Sequence, residues 1–336
     1  LHIDNYTHIY WKIQSKMKHK LICVGQTSFT GPSPHHLPIL DKHFTLENYD
    51  AERTYSKSDT FFYREKFEGI ERLLDTGCKM IKDELWEQVY QNTSTLDSQQ
   101  SVACCVGDSQ NLIRVPKWFW YEEHQSQRKQ KPNEIIFKHK ESKFLMQIGL
   151  SNKRRRRLYE ELLQQNLLQD SLYSFLEKGI SLEEGPIVYN PQHKPINQRA
   201  YNKEWYERTF CTVAVECSYW EGHGAIDAFI TEKTFKPIMY GHPFVVYGDA
   251  NTLSTLRTWG FSTFDNLFDE TYDSMSSYEE KVKDITRQLK NLKCHYDPET
   301  KEKIRYNFAR FWNSELVEQG MVKELINPIK EFISKT

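Results

Sequence analysis

No stretch of this 336-residue chain approaches the ~20 consecutive apolar residues that a membrane-spanning helix needs, so no spanning segment is expected. A dominant charge of one sign is also missing. Lys and Arg total 45 against 46 Asp and Glu, and a formal net charge of −1 gives no global field to draw nucleic acid or a membrane surface. No Cys-x-x-Cys spacing occurs, which argues against a zinc site. Neither Gly-x-x-x-x-Gly-Lys nor Gly-x-Gly-x-x-Gly is present, which argues against ATPase and dinucleotide-binding classes. No repeat at a solenoid period is evident, and no charged-then-apolar leader pattern is legible from Leu1 onward. The seven Cys are odd in number, and Cys23, Cys104, Cys105 and Cys211 lie in strand-like apolar runs. That is the pattern of reduced, buried thiols, and it leads to the expectation of a cytoplasmic protein.

What is present fits a large core or two domains, with 38% hydrophobic residues. The aromatic content of 14% suits a protein that handles flat or sugar-like ligands, and equally a large core. Strand-like runs at 20–25, 101–106, 144–150, 209–216 and 244–247 alternate with helical patterns at 67–89, 153–168, 231 onward, 250–259, 278–292, 302–312 and 314–333. Residues 170–178 also read as helical, and 125–133, charged and rich in amides, as a linker or mobile loop. Alternation of strand and helix in both halves implies an α/β protein with parallel sheets.

The most informative stretch is 208–248. Thr212 to Val215 is an apolar, largely β-branched run that ends on Glu216. Thr231 reads as a helix N-cap with Glu232 in the first turn, and Phe244 to Tyr247 is a buried-strand pattern closed by Gly248. In open α/β sheets, ligands sit beyond the carboxyl ends of strands and near helix starts. Glu216, Glu232 and Lys233 all fall at such an edge. A surface Glu-Lys pair and ordinary compensation of the helix dipole explain Glu232 and Lys233 taken singly. A carboxylate closing an apolar strand, by contrast, needs a partner. A second strand-to-helix turn reads Ser151-Asn152-Lys153-Arg154-Arg155-Arg156-Arg157. Five cations in the first turns of a helix oppose its dipole, unless an anion sits there. A solvated basic face or a nucleic-acid patch is the plainer alternative.

The run Val215-Glu216-Cys217-Ser218, then Phe229-Ile230-Thr231-Glu232-Lys233, resembles the donor-binding signature of the α-1,3-fucosyltransferase family. Thr-Glu-Lys-Thr-Phe-Lys-Pro-Ile followed by His-Pro-Phe also resembles a set of phage and marine-virus proteins, so a viral protein in a host cytoplasm is one expectation. The resemblance is specific over about residues 143 to 270. Cys217 stands where the family has Asn, the loop from Tyr219 to Ala228 is longer, and Thr-Phe-Lys-Pro-Ile replaces the usual residues after the Lys.

The resemblance implies a GT-B glycosyltransferase with two Rossmann-like parallel-sheet domains, a cleft between them and closing helices that brace the first. Expected bounds are 1–140 for an acceptor-binding domain, 141–312 for a nucleotide-sugar-binding domain and 313–336 for a returning helix. The expected chemistry is transfer of a sugar from a GDP-sugar or UDP-sugar donor to a glycan or other hydroxyl acceptor, with inversion. No two Asp residues lie two positions apart, so the usual Asp-x-Asp metal pair is missing and no metal is expected. Donor-binding candidates are Ser151, Asn152, Arg154, Arg155, Arg157, Glu216, Glu232 and Lys233, with Tyr219 and Tyr247 lining a base or ribose pocket.

An inverting transferase needs a base for the acceptor hydroxyl. Trp118-Phe119-Trp120-Tyr121-Glu122-Glu123-His124 offers Glu122, Glu123 and His124 beside aromatic surface, with Glu123 first because the similar viral sequences place a Glu after this block. The alternative is an aromatic core strand with exposed carboxylates. His35-His36 is a second candidate. A DNA acceptor, as in modification of hydroxymethylated bases, and a non-catalytic carbohydrate-binding or assembly protein are the other function classes. The Arg cluster and the basic stretch 128–143 keep the former open.

Overall fold

A computed structural model describes residues 19–23, 37–48, 50, 53–56, 58–63, 78–83, 100–104, 112–149, 152–182, 202–216 and 228–335. The chain forms two compact units, Leu1–Glu122 with Glu315–Thr336, and Glu123–Ser314.

In the first unit, β1 (His19–Cys23) is followed by α1 (Leu37–His43), β2 (Phe44–Asn48), β3 (Thr60–Tyr63), β4 (Lys79–Asp83), β5 (Gln100–Cys104) and β6 (Leu112–Arg114). All pair in parallel in the order β2-β1-β3-β4-β5-β6. Leu21, Ile22, Phe61, Phe62, Met80 and Ile81 are buried, as a parallel sheet covered on both faces requires. The helix expected over 67–89 is corrected within its described part. Lys79–Asp83 is a strand, with Met80 and Ile81 paired to Phe61 and Phe62. A short run of adjacent apolar residues fits either structure, and pairing with β3 and β5 decides it.

Helix α2 (Trp118–Gln127) carries the boundary between the units at Glu122 and Glu123. The aromatic block is therefore helical, and both carboxylates and His124 are buried with it. Its last residues, Gln125–Gln127, lead into a 3₁₀ turn at Arg128–Gln130, so the linker expected at 125–133 is ordered structure over its first half.

The second unit holds β7 (Ser142–Ile148), α3 (Lys153–Gln164), β8 (Leu172–Phe175), α4 (Lys203–Arg208), β9 (Thr209–Val215), α5 (Glu232–Met239), β10 (Phe244–Tyr247), α6 (Thr252–Thr258), α7 (Tyr278–Asn291) and α8 (Pro298–Phe311). Its sheet is parallel, in the order β10-β9-β7-β8. All seven residues of β9 and all four of β10 are buried, which is why both read as unbroken apolar runs. Residues 170–178, expected to be helical, instead contain β8, whose Leu172 to Phe175 pair with Leu145 to Ile148. The α/β class with two parallel sheets is as expected.

The chain closes with α9 (Ser314–Met321), a π-helical turn at Val322–Ile326 and α10 (Asn327–Ser334). From β4, the buried Lys79 ammonium donates to the carbonyls of Phe332, Ile333 and Lys335 at 2.9, 2.6 and 3.1 Å. It satisfies acceptors that a helix end leaves open.

Candidate functional site

The order β10-β9-β7-β8 reverses between β7 and β9, because the chain runs from β7 to β8 on one side and returns to β9 on the other. Such a reversal opens a crevice at the carboxyl ends of the two strands, the usual ligand position in open α/β sheets. Three strand exits shape this edge. β7 leads to the start of α3, β9 leads to Glu216 and onward to α5, and β10 leads to Gly248 and Asp249.

At the α3 start, the Asn152 side chain accepts from the Arg155 amide at 2.9 Å, the N-cap that the sequence suggests. The four arginines part company from there. Arg155 is buried, Arg156 is exposed, and Arg157 is held by Glu161 at 2.8 Å and Glu279 at 2.7 Å. The Arg154 guanidinium lies over the Tyr278 ring, 3.4 Å from its centroid, and 3.8 Å from Asp249. The Tyr278 hydroxyl donates to the same Asp249 oxygen at 2.6 Å.

At the β9 exit, Glu216 is only 4% exposed and its carboxylate takes three hydrogen bonds. Oε1 accepts from the Thr231 amide at 2.9 Å and the Thr234 hydroxyl at 2.6 Å, and Oε2 from the Thr231 hydroxyl at 2.5 Å. The carboxylate thus stitches the strand exit to the first turn of α5. Burial pushes its pKa up, with Lys233 opposing, Glu232 adding and the threonine hydrogen bonds opposing. Lys233 lies 2.7 Å from Glu232 and donates to the Thr231 hydroxyl at 3.2 Å. For Glu232, burial raises the pKa, but the charges of Lys233 and Lys236 and hydrogen bonds from Lys233 and Thr231 outweigh it and hold the carboxyl at about 2. Glu232 is therefore ionised at neutral pH.

At the β10 exit, Tyr247 is buried, its ring meets Tyr278 edge-on at 5.8 Å, and its hydroxyl donates to the Arg154 carbonyl at 3.5 Å. The buried Lys281 donates to the Gly248 carbonyl at 2.9 Å, and burial lowers its pKa to about 8. Asp249 and Tyr278 were not singled out in the sequence. The signal available was Asp249 directly after a strand and its glycine.

The structure thus brings Glu216, Glu232 and Lys233 together, and Arg154 with Tyr247. Ser151, Tyr219 and His35-His36 lie outside the described residues. Glu123 falls elsewhere, because its charge acts on Tyr206 and Tyr240, which precede β9 and β10 at the amino edge of the sheet. That edge also holds a small hollow, with room for no more than about one water, lined by Lys140, Tyr206, Glu207, Tyr240 and His242. Among the described residues, no group of three or more His, Cys, Asp or Glu is placed to hold a metal ion, and no helix is long and apolar enough to cross a membrane.

No protein-family model matches the chain, and no curated protein matches it. Among solved structures it is similar to an alpha1,3-fucosyltransferase, with a TM-score of 0.44 and 12% identity over 91% of this chain and 93% of that one. The same holds for an alpha1,3-fucosyltransferase with GDP, at a TM-score of 0.43 and 11% identity over 91% of this chain and 93% of that one. The chain is also similar to T4 phage BGT in complex with UDP and Mn2+, at a TM-score of 0.43 and 10% identity over 94% of this chain and 99% of that one.

Proposed function

We propose that the chain is a nucleotide-sugar-dependent glycosyltransferase of the GT-B kind, with its donor at the carboxyl edge of the β10-β9-β7-β8 sheet. The observation that carries this reading is the strand-order reversal between β7 and β9, followed by one helix that begins Lys153 to Arg157 and another whose first turn pairs Glu232 with Lys233. The backbone amides of a helix start and cations beside it suit a diphosphate.

In this proposal, Arg154 and Lys233 neutralise the diphosphate as it leaves, which is electrostatic stabilisation of developing charge. Glu216 does not touch the donor but fixes the α5 start that presents Lys233, and Asn152 does the same for α3. Glu232 keeps the Lys233 ammonium in place through their 2.7 Å pair. With these cations to take the leaving charge and no Asp-x-Asp pair, the proposed transfer needs no metal, and the resemblance to the fucosyltransferase family implies that it inverts. The acceptor is a sugar hydroxyl. Glu123, at the amino edge, is not assigned as its base.

The test is a thermal-shift screen against GDP-, UDP-, CMP- and dTDP-sugars. A donor at a hundred times its Kd stabilises by about 2.7 kcal/mol, a shift of several degrees. Lys233→Ala should abolish calorimetric binding of that donor, and excess chelator should leave transfer unchanged. Absence of a shift with all four donor classes refutes the reading.

A further inference from the structure

We infer that Tyr278 and Asp249 are positioning residues that hold Arg154 as the cation for the donor's diphosphate. This inference rests on the nucleotide-sugar reading above, which assigns Arg154 to the diphosphate, and goes beyond it by naming the residues that orient that guanidinium. Sequence cannot separate Arg154 to Arg157, since consecutive residues point to all sides of a helix. In the structure Arg157 is spent on Glu161 and Glu279, Arg155 is buried and Arg156 is exposed.

Arg154 reaches across the sheet edge. It follows β7, while Asp249 follows β10, and β9 lies between those strands. The Arg154–Asp249 approach of 3.8 Å therefore spans the carboxyl end of β9, beside the reversal. Four contacts fix this arrangement. The Tyr278 ring stacks on the guanidinium with 3.4 Å from Cζ to the centroid, and the Tyr278 hydroxyl donates to Asp249 at 2.6 Å. The Asp249 carbonyl accepts from the Thr252 hydroxyl at 2.7 Å, and the Gly248 carbonyl from Lys281 at 2.9 Å. An exposed arginine samples many rotamers, and gripping phosphate costs it that freedom. A guanidinium already held in one plane keeps its donor fork and loses less on binding.

The test is calorimetric titration of the full chain with GDP and UDP, and with guanosine and uridine, which lack the diphosphate. Tyr278→Leu and Asp249→Asn should weaken the diphosphate about tenfold, the scale of a desolvated cation–π contact, and leave the nucleoside unchanged. Tyr278→Phe keeps the ring and loses only the hydroxyl, so its effect should be smaller, and Arg154→Lys should resemble Tyr278→Leu. Wild-type-like diphosphate binding in folded Tyr278→Leu and Asp249→Asn overturns the inference. So does an equal loss of nucleoside and diphosphate, which would mean that the array supports the base or the fold at large. A wild-type chain that binds neither GDP nor UDP refutes the donor reading itself, and the two failures are distinguished by that first titration.

Discussion

Replacing Glu216 tests the stitch between β9 and α5. Glu216→Ala removes the acceptor for three hydrogen bonds and strands the Thr231 amide and the Thr231 and Thr234 hydroxyls in a buried place. Each unsatisfied buried donor costs about 1–3 kcal/mol, and the hydroxyls can turn to other acceptors, while the carboxylate's own desolvation penalty is relieved. The net loss should be about 3–4 kcal/mol on this reckoning. Glu216→Gln keeps an oxygen where Oε1 accepts from the Thr231 amide and the Thr234 hydroxyl, and its amide can donate to a rotated Thr231 hydroxyl. About 1 kcal/mol should be lost, reflecting weaker, uncharged hydrogen bonds. The Gln variant should also remove a pH slope. A carboxyl whose folded pKa is raised above its ordinary 4.5 stabilises fully below that value and progressively less as pH rises through the folded one. Denaturant unfolding at several pH values, with hydrogen exchange of residues 228–240 to localise the effect, supplies both readings. Equal stability of the Ala and Gln variants, or unchanged exchange in the first turn of α5, would refute the reasoning.

Gly320→Ala should cost about 1–3 kcal/mol by overpacking, because its Cβ would lie 2.8 Å from Cζ of the buried Tyr121 and meet its hydroxyl. Adding Tyr121→Phe should restore part of that, measured by a double-mutant cycle in urea. Lys79→Met should leave the last carbonyls of α10 without their ammonium donor and cost about 1–3 kcal/mol, visible as faster exchange and proteolysis at residues 329–335. Acid should weaken the second unit in two steps. His242 is buried, its Nε2 donating to the Thr209 carbonyl at 2.7 Å, and burial lowers its pKa from 6.5 to about 3. Its contribution is therefore full above pH 6.5 and is lost as pH falls towards 3, and His242→Gln should flatten that limb. The contribution of Glu232 is full above 4.5 and is lost on the way down to about 2, so Glu232→Gln should flatten only the lower limb of melting temperature against pH.

The second sheet was largely legible because β9 and β10 are buried on both faces and spell continuous apolar runs. The caps at Asn152 and Thr231 were legible because a side-chain oxygen before a helical pattern has one common use. β4 and β8 were not, since Lys79–Asp83 and Leu172–Phe175 are too short for periodicity to separate strand from helix, and only their parallel neighbours decide. α2 was obscured for the opposite reason. Its Trp, Phe and Tyr are buried alongside Glu122, Glu123 and His124, so no polar face betrays the helical period. At the candidate site, the sequence pointed to an arginine but not to which one. That choice is made by Tyr278, which lies 124 positions further along the chain in α7.

The π-helical turn at Val322–Ile326 works as a register clutch. Each residue advances a helix by about 100°, and a π turn holds one residue more than an α turn in the same arc. Ahead of it, Val317 and Met321 face the core, and beyond it so does Ile329, at 0% exposure. Were the same residues to run as one regular α-helix, everything after the turn would rotate by about 100°. Ile329 would swing off the core, and the carbonyls at the chain's end would miss Lys79. The π turn therefore absorbs one extra residue and keeps α10 on its face, so deleting a single residue inside Val322–Ile326 should leave Ile329 on the core, whereas an insertion there should not.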